Sequence, residues 1–142
     1  MEILNRKAGY DYEIEDSYEA GIVLTGTEIK SIRQGKVNIK DSYAIIRNNE
    51  LYLLNTHIST YKEGNIFNHD EDRTRKLLLH KKEIIKILNK VKQEKYTIVP
   101  TKMYFSSGYV KVEIALAKGK KLFDKRESLK KKDIERDIKR NR

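Results

Sequence analysis

The sequence predicts a mainly β fold, an antiparallel sheet or a small closed barrel with helices packed on it. Apolar and polar residues alternate along several stretches, and the strand-like stretches are separated by turn residues rather than by long helices. Only two stretches have a convincing helical period, and no spacing repeats along the chain. At 142 residues the chain is long enough for one domain with a single modest core.

The N-terminal third begins with a predicted strand that leads into a short helix. Tyr10 and Tyr12 alternate with acidic residues, and EAGIVLTG indicates a more buried strand. In TGTEIKSIRQG the spacing of apolar residues changes from that of a strand to that of a helix. Thr25 followed by Glu28 is a capping-box pattern, and Gly35 is placed to end the helix. We therefore expect a helix of about two turns here.

The rest of the chain adds one hairpin, one long helix and a second pair of strands. Two β-rich runs flank Asn48 and Asn49, residues that tolerate the positive φ of a tight turn. Residues 60–75 predict a long polar loop. LLLHKKEIIKILNKVKQEK has the clearest helical stripe, and the strands of YTIVPTKMYFSSGYVKVEIALA are separated by a turn at residues 106–108. Pro100 suits a bend or an edge position.

The charge is concentrated at the C-terminus. The chain carries a net charge of +10, and residues 118–142 hold 12 Lys or Arg against 5 Asp or Glu. This tail has few apolar residues, so we expect it to be disordered alone and to fold on a charged surface. A polyanion is the favoured partner, with nucleic acid ahead of membrane. A solvated lysine-rich tail without a partner is the alternative that composition leaves open.

Catalytic and cofactor motifs are missing from the sequence. There is no cysteine, no glycine-rich phosphate loop and no serine in a Gly-x-Ser-x-Gly setting. His57, His69 and His80 lack a ligand spacing, and HDED at residues 69–72 fits a solvated loop better than a cation site. We therefore expect no cofactor, no small-molecule substrate and no enzymatic activity. No membrane span or signal-peptide pattern is present, which fits a cytoplasmic protein.

Basic and aromatic residues favour nucleic-acid binding. Arg73, Arg75 and Lys76 precede the long helix, whose outer face is predicted to carry Lys81, Lys82, Lys86, Lys90 and Lys92. Tyr61 and Phe67 in the loop are equally consistent with packing and with stacking on unpaired bases.

Several motifs resemble those of one bacterial family, and they occur in the same order. They are NRKA, YEAGIVLTGTEIKSIRQGK, DSYA, YLLNTHIS, RTRKLLLH, VKVEIALAKGKK and DKRE. Together they are similar to the tmRNA-binding protein family, small protein B (SmpB), over nearly the whole chain. The resemblance implies a six-stranded antiparallel barrel related to the OB-fold, with three helices, at residues 1–118. It also implies a basic tail at residues 119–142 that is helical on the ribosome.

The resemblance further implies a non-enzymatic role in trans-translation. The barrel would bind the tRNA-like domain of tmRNA, and the pair would enter the decoding site of a stalled ribosome. The tail would occupy the empty mRNA channel of the small subunit. Elongation factor Tu would be an indirect partner, through the tmRNA complex.

The family's RNA-contacting surface carries onto Glu19, Leu78, His80 and Lys111, with His80 standing where other members have Asn. Its tail element carries onto Gly119, Asp124, Lys125 and Arg126. Gly119 would be a hinge, and Lys120 and Lys121 would join Lys125 and Arg126 in neutralising phosphates. Phe123 would stack in the decoding site or, with Leu122, cap the end of the barrel.

Two other classes of protein remain as alternatives. A general single-strand-binding module would tolerate any RNA and would expose aromatic residues along one face of the barrel. An RNA-processing enzyme would need a metal in the NHDED loop. Neither alternative explains the pattern of the tail.

Overall fold

The computed structural model describes residues 2–61 and 68–119. Over this part of the chain there are nine strands and three helices. In order they are β1 (Glu2–Leu4), α1 (Arg6–Asp11), β2 (Tyr12–Ile22), α2 (Gly26–Arg33), β3 (Val37–Asn38), β4 (Tyr43–Arg47), β5 (Glu50–Leu54), β6 (His57–Ile58), β7 (Arg75–Leu78), α3 (Lys81–Gln93), β8 (Thr97–Ser106) and β9 (Tyr109–Gly119). None of the described helices is both long and apolar enough to cross a membrane.

Six antiparallel strands close into a barrel. Their order is β8-β4-β5-β7-β2-β9, and the pairing of β9 with β8 closes the ring. β1 is added outside the ring on β8, and β3 pairs with β6 in a separate two-stranded sheet. Closure leaves no free edge within the ring, which suits a small β protein. The predicted six-stranded antiparallel barrel with three helices is confirmed.

The alternating apolar residues of the strands form the interior of the barrel. Along β9 the predicted inward set is buried, namely Val110, Val112, Ile114 and Leu116. Two helices add one fully buried isoleucine each to the same core, Ile32 from α2 and Ile87 from α3. Burying a side chain of this size stabilises the fold by about 1.5–3 kcal/mol. Both helices are therefore fixed to the barrel by their apolar faces.

Helix α2 has the start and stop signals that the sequence predicts. The Thr25 hydroxyl accepts from the Glu28 amide at 3.3 Å, and the Glu28 carboxylate accepts from the Thr25 amide at 2.8 Å. At the other end, Gly35 has φ of 73°. The Gly35 and Lys36 amides donate to the carbonyls of Ile32 and Ser31. This is a Schellman ending, which needs the left-handed conformation that glycine adopts without strain.

Two tight turns join neighbouring strands of the barrel. Asn48 and Asn49, with φ of 52° and 61°, connect β4 to β5 as predicted. The second turn is shorter than predicted, because Ser106 pairs with Tyr109 and only Ser107 and Gly108 lie between the strands. Both pairs have positive φ, which matches the twist of the strands they join.

Replacing Asn49 by Ile should lower the free energy of unfolding by about 1–2 kcal/mol, because a β-branched residue is strained at positive φ. Urea unfolding monitored by circular dichroism measures the effect. Asn49→Gly is the matched control and should be at least as stable as the natural chain. Equal stability of the Ile and Gly variants would contradict the role given to this turn.

Two predicted element boundaries were wrong. Tyr10 lies in α1 and not in a strand, because the Asn5 side chain accepts from the Ala8 amide and starts a helix there. The helix predicted from Leu77 begins instead at Lys81. Leu77 points into the core and Leu78 points outward, so these two residues end strand β7, and Leu79 and His80 connect it to the helix. Pro100 lies at an irregularity of β8, in agreement with the predicted bend.

Candidate nucleic-acid interface

One outward-facing row of residues crosses four strands of the barrel. Gly21 of β2 pairs with Leu78 of β7 on one side and with Lys111 of β9 on the other. Lys111 in turn pairs with Tyr104 of β8. Because side chains alternate across each strand, these four residues face solvent together. The barrel thus presents one surface that combines apolar, cationic and aromatic groups.

An open groove lies on this surface, between the barrel and the start of α3. Its lining residues are Glu19, Gly21, Leu78, Leu79, His80, Glu83 and Lys111. The four residues that the family resemblance selects are among them, whereas the other three predicted RNA contacts, Arg73, Arg75 and Lys76, are not. The four are far apart in sequence, and the closure of β7, β2 and β9 brings them together. We refer to this surface as the Glu19–Lys111 groove.

Gly21 has no side chain, so the Leu78 side chain is uncovered at the bottom of the groove. A Cβ at this position would lie 3.4 Å from the Leu78 Cβ, so any side chain would fill the space above Leu78. Leu78 is 50% exposed, which is unusual for a leucine between two strands of a barrel. The groove therefore has an apolar floor that a flat ligand group can cover.

Glu19 is exposed at the rim and is held in place by Tyr104. The Tyr104 hydroxyl donates to the Glu19 carboxylate. Burial, followed by this hydrogen bond and the charge of Glu19, raises the pKa of Tyr104 to about 12. The phenol therefore stays protonated at neutral pH and continues to donate. Carboxylate oxygens have further acceptor capacity, so Glu19 can still accept an N–H from a ligand.

Lys111 supplies the positive charge of the groove. Its side chain is half-exposed, and it has no ion-pair partner within the described part of the chain. Its cross-strand neighbours, Gly21 and Tyr104, carry no charge at neutral pH. The ammonium group is thus available to an anion such as a phosphate.

His80 forms the transition from β7 to α3. It is the N-cap residue of α3, and its amide donates to the Glu83 carboxylate at 3.3 Å. The residue is exposed, so its imidazole faces the groove from the helix side. Imidazole can donate or accept a hydrogen bond, so His80 can contact either kind of group on a ligand.

The prediction that Arg75 contacts RNA is wrong for this conformation. Its side chain is 0% exposed. It donates to Glu28 at 2.5 Å and to the carbonyls of Thr56, Arg73, Asp70 and Glu71. Arg75 points inward because β7 alternates, with Arg75 and Leu77 inside and Lys76 and Leu78 outside. Its role is therefore structural.

Arg73 and Lys76 are partly accessible but already paired. Arg73 donates to both carboxylate oxygens of Glu28 and to the Val23 carbonyl, with its side chain 30% exposed. Lys76 contacts Glu50 at 2.8 Å on the outer face of the barrel, and this hydrogen bond raises the pKa of Lys76. RNA contacts of Arg73 and Lys76 remain predictions, and each would require exchange of a carboxylate for a phosphate.

The structure describes part of the predicted loop, but it does not describe the tail beyond Gly119. His69 is largely buried, and its two ring nitrogens lie 2.9 Å from the Thr27 hydroxyl and 2.8 Å from the Ile58 carbonyl. Among residues 2–61 and 68–119, no group of acidic residues and histidines is suited to a metal ion.

The aromatic side chain of Tyr61 contacts a cation of the protein itself. The Lys30 ammonium lies 5.3 Å from the Tyr61 ring centre. Phe67, Lys120, Lys121, Leu122, Phe123, Asp124, Lys125 and Arg126 lie outside the described residues.

Gly119 is the last residue of β9 and pairs with Tyr12 at the end of the barrel. The structure thus includes Gly119 in a barrel strand, and the boundary between barrel and tail at residues 118 and 119 stays a prediction. The proposed action of Gly119 as a hinge also stays a prediction.

Sequence reasoning missed Gly21 and Tyr104 as parts of the groove. Alternation in YTIVPTKMYFS indicates that Tyr104 faces outward, but only the register of β8 with β9 places it beside Lys111. The apolar surface next to the groove, with Val23 and Tyr109 at 44% and 71% exposure, was also missed.

A closed β-barrel with an exposed groove of this composition and a strongly basic C-terminal segment belongs to the nucleic-acid-binding class of small barrels. The model of the family described as SmpB protein matches residues 2–142, and the chain belongs to this family. The SsrA-binding protein of Geotalea uraniireducens (strain Rf4) is 58% identical over 134 residues, which cover 94% of this chain and 89% of the relative. The SsrA-binding protein of Enterococcus faecalis (strain ATCC 700802 / V583) is 60% identical over 136 residues, covering 96% and 88%.

One solved structure is similar over most of its length. It is described as "tmRNA-SmpB: a journey to the center of the bacterial ribosome" and has a TM-score of 0.72 and 48% sequence identity. The match covers 90% of this chain and 94% of that chain.

Proposed function

We propose that this protein binds the tRNA-like domain of tmRNA and brings it to the decoding site of stalled ribosomes. The observation that carries the proposal is the Glu19–Lys111 groove, which gathers all four barrel residues that the family resemblance selects. The groove combines an acceptor, a cation, an apolar floor and an imidazole. These are groups that can bind a folded RNA through base edges and phosphates together.

The proposal divides the chain into two working parts. The barrel, residues 1–118, holds tmRNA, and the basic tail, residues 119–142, occupies the empty mRNA channel of the small subunit. Contact with elongation factor Tu is indirect, through tmRNA. The protein acts by binding and catalyses no reaction, and its place of action is the cytoplasm. The names of the relatives, SsrA-binding proteins, support the RNA partner.

Lys111→Gln tests the phosphate contact. Loss of one phosphate contact should lower the slope of log affinity against log salt by about 0.7–0.9, because fewer counterions are released. Filter binding of the tRNA-like domain at several salt concentrations measures the slope. Preference over bulk tRNA should fall as well if Lys111 also orients the RNA in the groove.

Lys7→Gln is the matched control. Lys7 is an exposed lysine on α1, paired with Asp41 at 2.8 Å and outside the groove. Its removal should leave the slope unchanged. Identical slopes for the Lys111 and Lys7 variants would show that the RNA does not occupy the groove.

A further inference from the structure

Helix α3 presents an exposed arc that carries no acidic residue. At about 100° per residue, its exposed positions span an arc of about 140°. They are Lys81, Lys82, Ile85, Lys86, Asn89, Lys92 and Gln93. The opposite side of the helix packs on the core through Ile84, Ile87 and Val91. We refer to Lys81, Lys82, Lys86 and Lys92 as the α3 lysine face.

The described part of the chain does not neutralise the α3 lysine face. Within residues 2–61 and 68–119, none of its four lysines forms an ion pair. Four lysines elsewhere form ion pairs within 4 Å: Lys7 with Asp41, Lys76 with Glu50, Lys102 with Glu113 and Lys118 with Glu94. Other described lysines are unpaired but scattered, namely Lys30, Lys36, Lys40, Lys95 and Lys111. Even Lys90, at the edge of the same helix, contacts Asp16. The distinguishing feature of the arc is therefore that four unpaired lysines lie together on one side of a single helix.

The placement of three of these lysines, Lys81, Lys82 and Lys86, opposes the stability of the helix. Lys81 and Lys82 lie in the first turn, where the helix dipole disfavours cations. Lys82 and Lys86 are four residues apart, so their like charges repel. A sequence selected only for a stable, soluble helix would place acidic residues here. Glu83 in the first turn offsets part of this cost, and Lys92 in the last turn agrees with the dipole, so the unfavourable placement concerns Lys81, Lys82 and Lys86. Local choices that oppose stability are typical of functional surfaces.

The α3 lysine face begins next to the Glu19–Lys111 groove. His80 and Glu83 line the groove, and Lys81 and Lys82 lie between them in sequence. From Lys81 to Lys92 the helix extends about 16 Å away from that point. A nucleic acid that lies in the groove and follows the helix would meet the four lysines in succession.

We propose that the α3 lysine face binds the phosphate backbone of the same RNA that occupies the groove. The inference rests on the proposed function for the identity of that RNA. Lysines act as flexible point charges, and the exposed arc carries no aromatic residue for stacking. The contact is therefore independent of sequence: it adds affinity and fixes the direction of the RNA, while the groove provides the preference.

The test is a triple variant of the full chain, Lys82→Gln with Lys86→Gln and Lys92→Gln. Glutamine has nearly the same helix propensity as lysine, so α3 should keep its helix content and thermal stability. For the tRNA-like domain of tmRNA, we expect the slope of log affinity against log salt to fall by about 2, as three contacts are removed. Preference over bulk tRNA should be kept.

Two control variants separate charge from position. Lys82→Arg with Lys86→Arg and Lys92→Arg keeps the charge and should keep the slope. Lys7→Gln with Lys36→Gln and Lys40→Gln removes the same charge from exposed lysines on α1 and after α2, and should change the slope much less. The inference would be overturned if both glutamine triple variants lowered the salt slope equally. It would also be overturned if the α3 triple variant weakened RNA binding only when ribosomes are present. If the natural chain itself shows no preference for the tRNA-like domain, the proposed function fails instead.

A second measurement locates the RNA directly. The chain has no cysteine, so Lys86→Cys provides a single attachment point for an iron–EDTA cleavage reagent. We expect localised cuts in the backbone of the bound tRNA-like domain, next to the region protected by the groove. The same reagent on Lys40→Cys should give no such cuts. Absence of cleavage from residue 86 would overturn the inference even if the salt slopes changed.

Discussion

Glu28→Gln is expected to destabilise the barrel by about 3–5 kcal/mol, because it leaves the buried Arg75 guanidinium without its counter-charge. Glu28 and Arg75 are both fully buried, and they are 2.5 Å apart. The same carboxylate also accepts from Arg73 and from the Thr25 amide that starts α2. One side chain therefore joins α2, the segment before β7 and β7 itself.

Urea unfolding of the full chain measures this loss. Glu50→Gln is the matched control, since it removes a carboxylate that pairs with Lys76 at the surface and should change stability little. A Glu28 variant as stable as the Glu50 variant would contradict the structural role given to the contacts of Glu28 with Arg75, Arg73 and Thr25. Because β7 carries Leu78 to the groove, RNA binding should weaken together with stability.

The pH dependence of stability gives a second test of Glu28. Burial alone would raise its pKa, but hydrogen bonds from Arg73, Thr25 and Arg75 outweigh burial, and the pKa lies below its usual value of 4.5. A carboxylate with a lowered pKa in the folded state stabilises the fold above the unfolded pKa. This contribution should be lost as the pH falls below about 4.5. Glu28→Gln should lack that part of the acid-induced loss.

Glu19→Lys is expected to weaken binding of the tRNA-like domain by about 10- to 100-fold, the usual value of one specific base contact. The direction is informative, because an added positive charge ordinarily strengthens RNA binding. The substitution removes the acceptor at the groove rim and the partner of the Tyr104 hydroxyl. Binding of unstructured RNA should be unchanged or stronger, so preference for the tRNA-like domain should fall.

Glu13→Lys is the control with the same charge change on the same strand. Glu13 is exposed on β2 and pairs with Lys118, at the end of β9 away from the groove. This variant should keep its preference for the tRNA-like domain. If the two variants lose preference equally, total charge and not the position of Glu19 determines binding.

Local signals in the sequence predicted the parts of the fold that depend on few residues. The capping box at Thr25 and Glu28 and the Asn48-Asn49 turn are each determined within four residues. LLL before His80 was misassigned because a short apolar run fits a strand and a helix equally. Only the pairing of β7 with β5 and β2 decides for the strand.

In the candidate site, too, some features are predictable from the sequence and others depend on long-range strand pairing. Glu19, Leu78, His80 and Lys111 came from family resemblance, and the closed barrel brings them into one groove. Arg75 has the composition of a phosphate contact, but its burial depends on long-range pairing with Glu28, 47 residues away. The sequence predicts that a residue is charged, while the fold determines whether that charge reaches solvent.

The most direct test of tmRNA binding by the barrel is a competition titration at one physiological salt concentration. A labelled tRNA-like domain of tmRNA is bound, with bulk tRNA and unstructured RNA as competitors, using the full chain and a version that ends at Leu122. We expect strong preference for the tRNA-like domain with both proteins, since the barrel holds tmRNA and the tail is reserved for the ribosome. Equal competition by any RNA would contradict this account and would leave a basic barrel that binds RNA by charge alone.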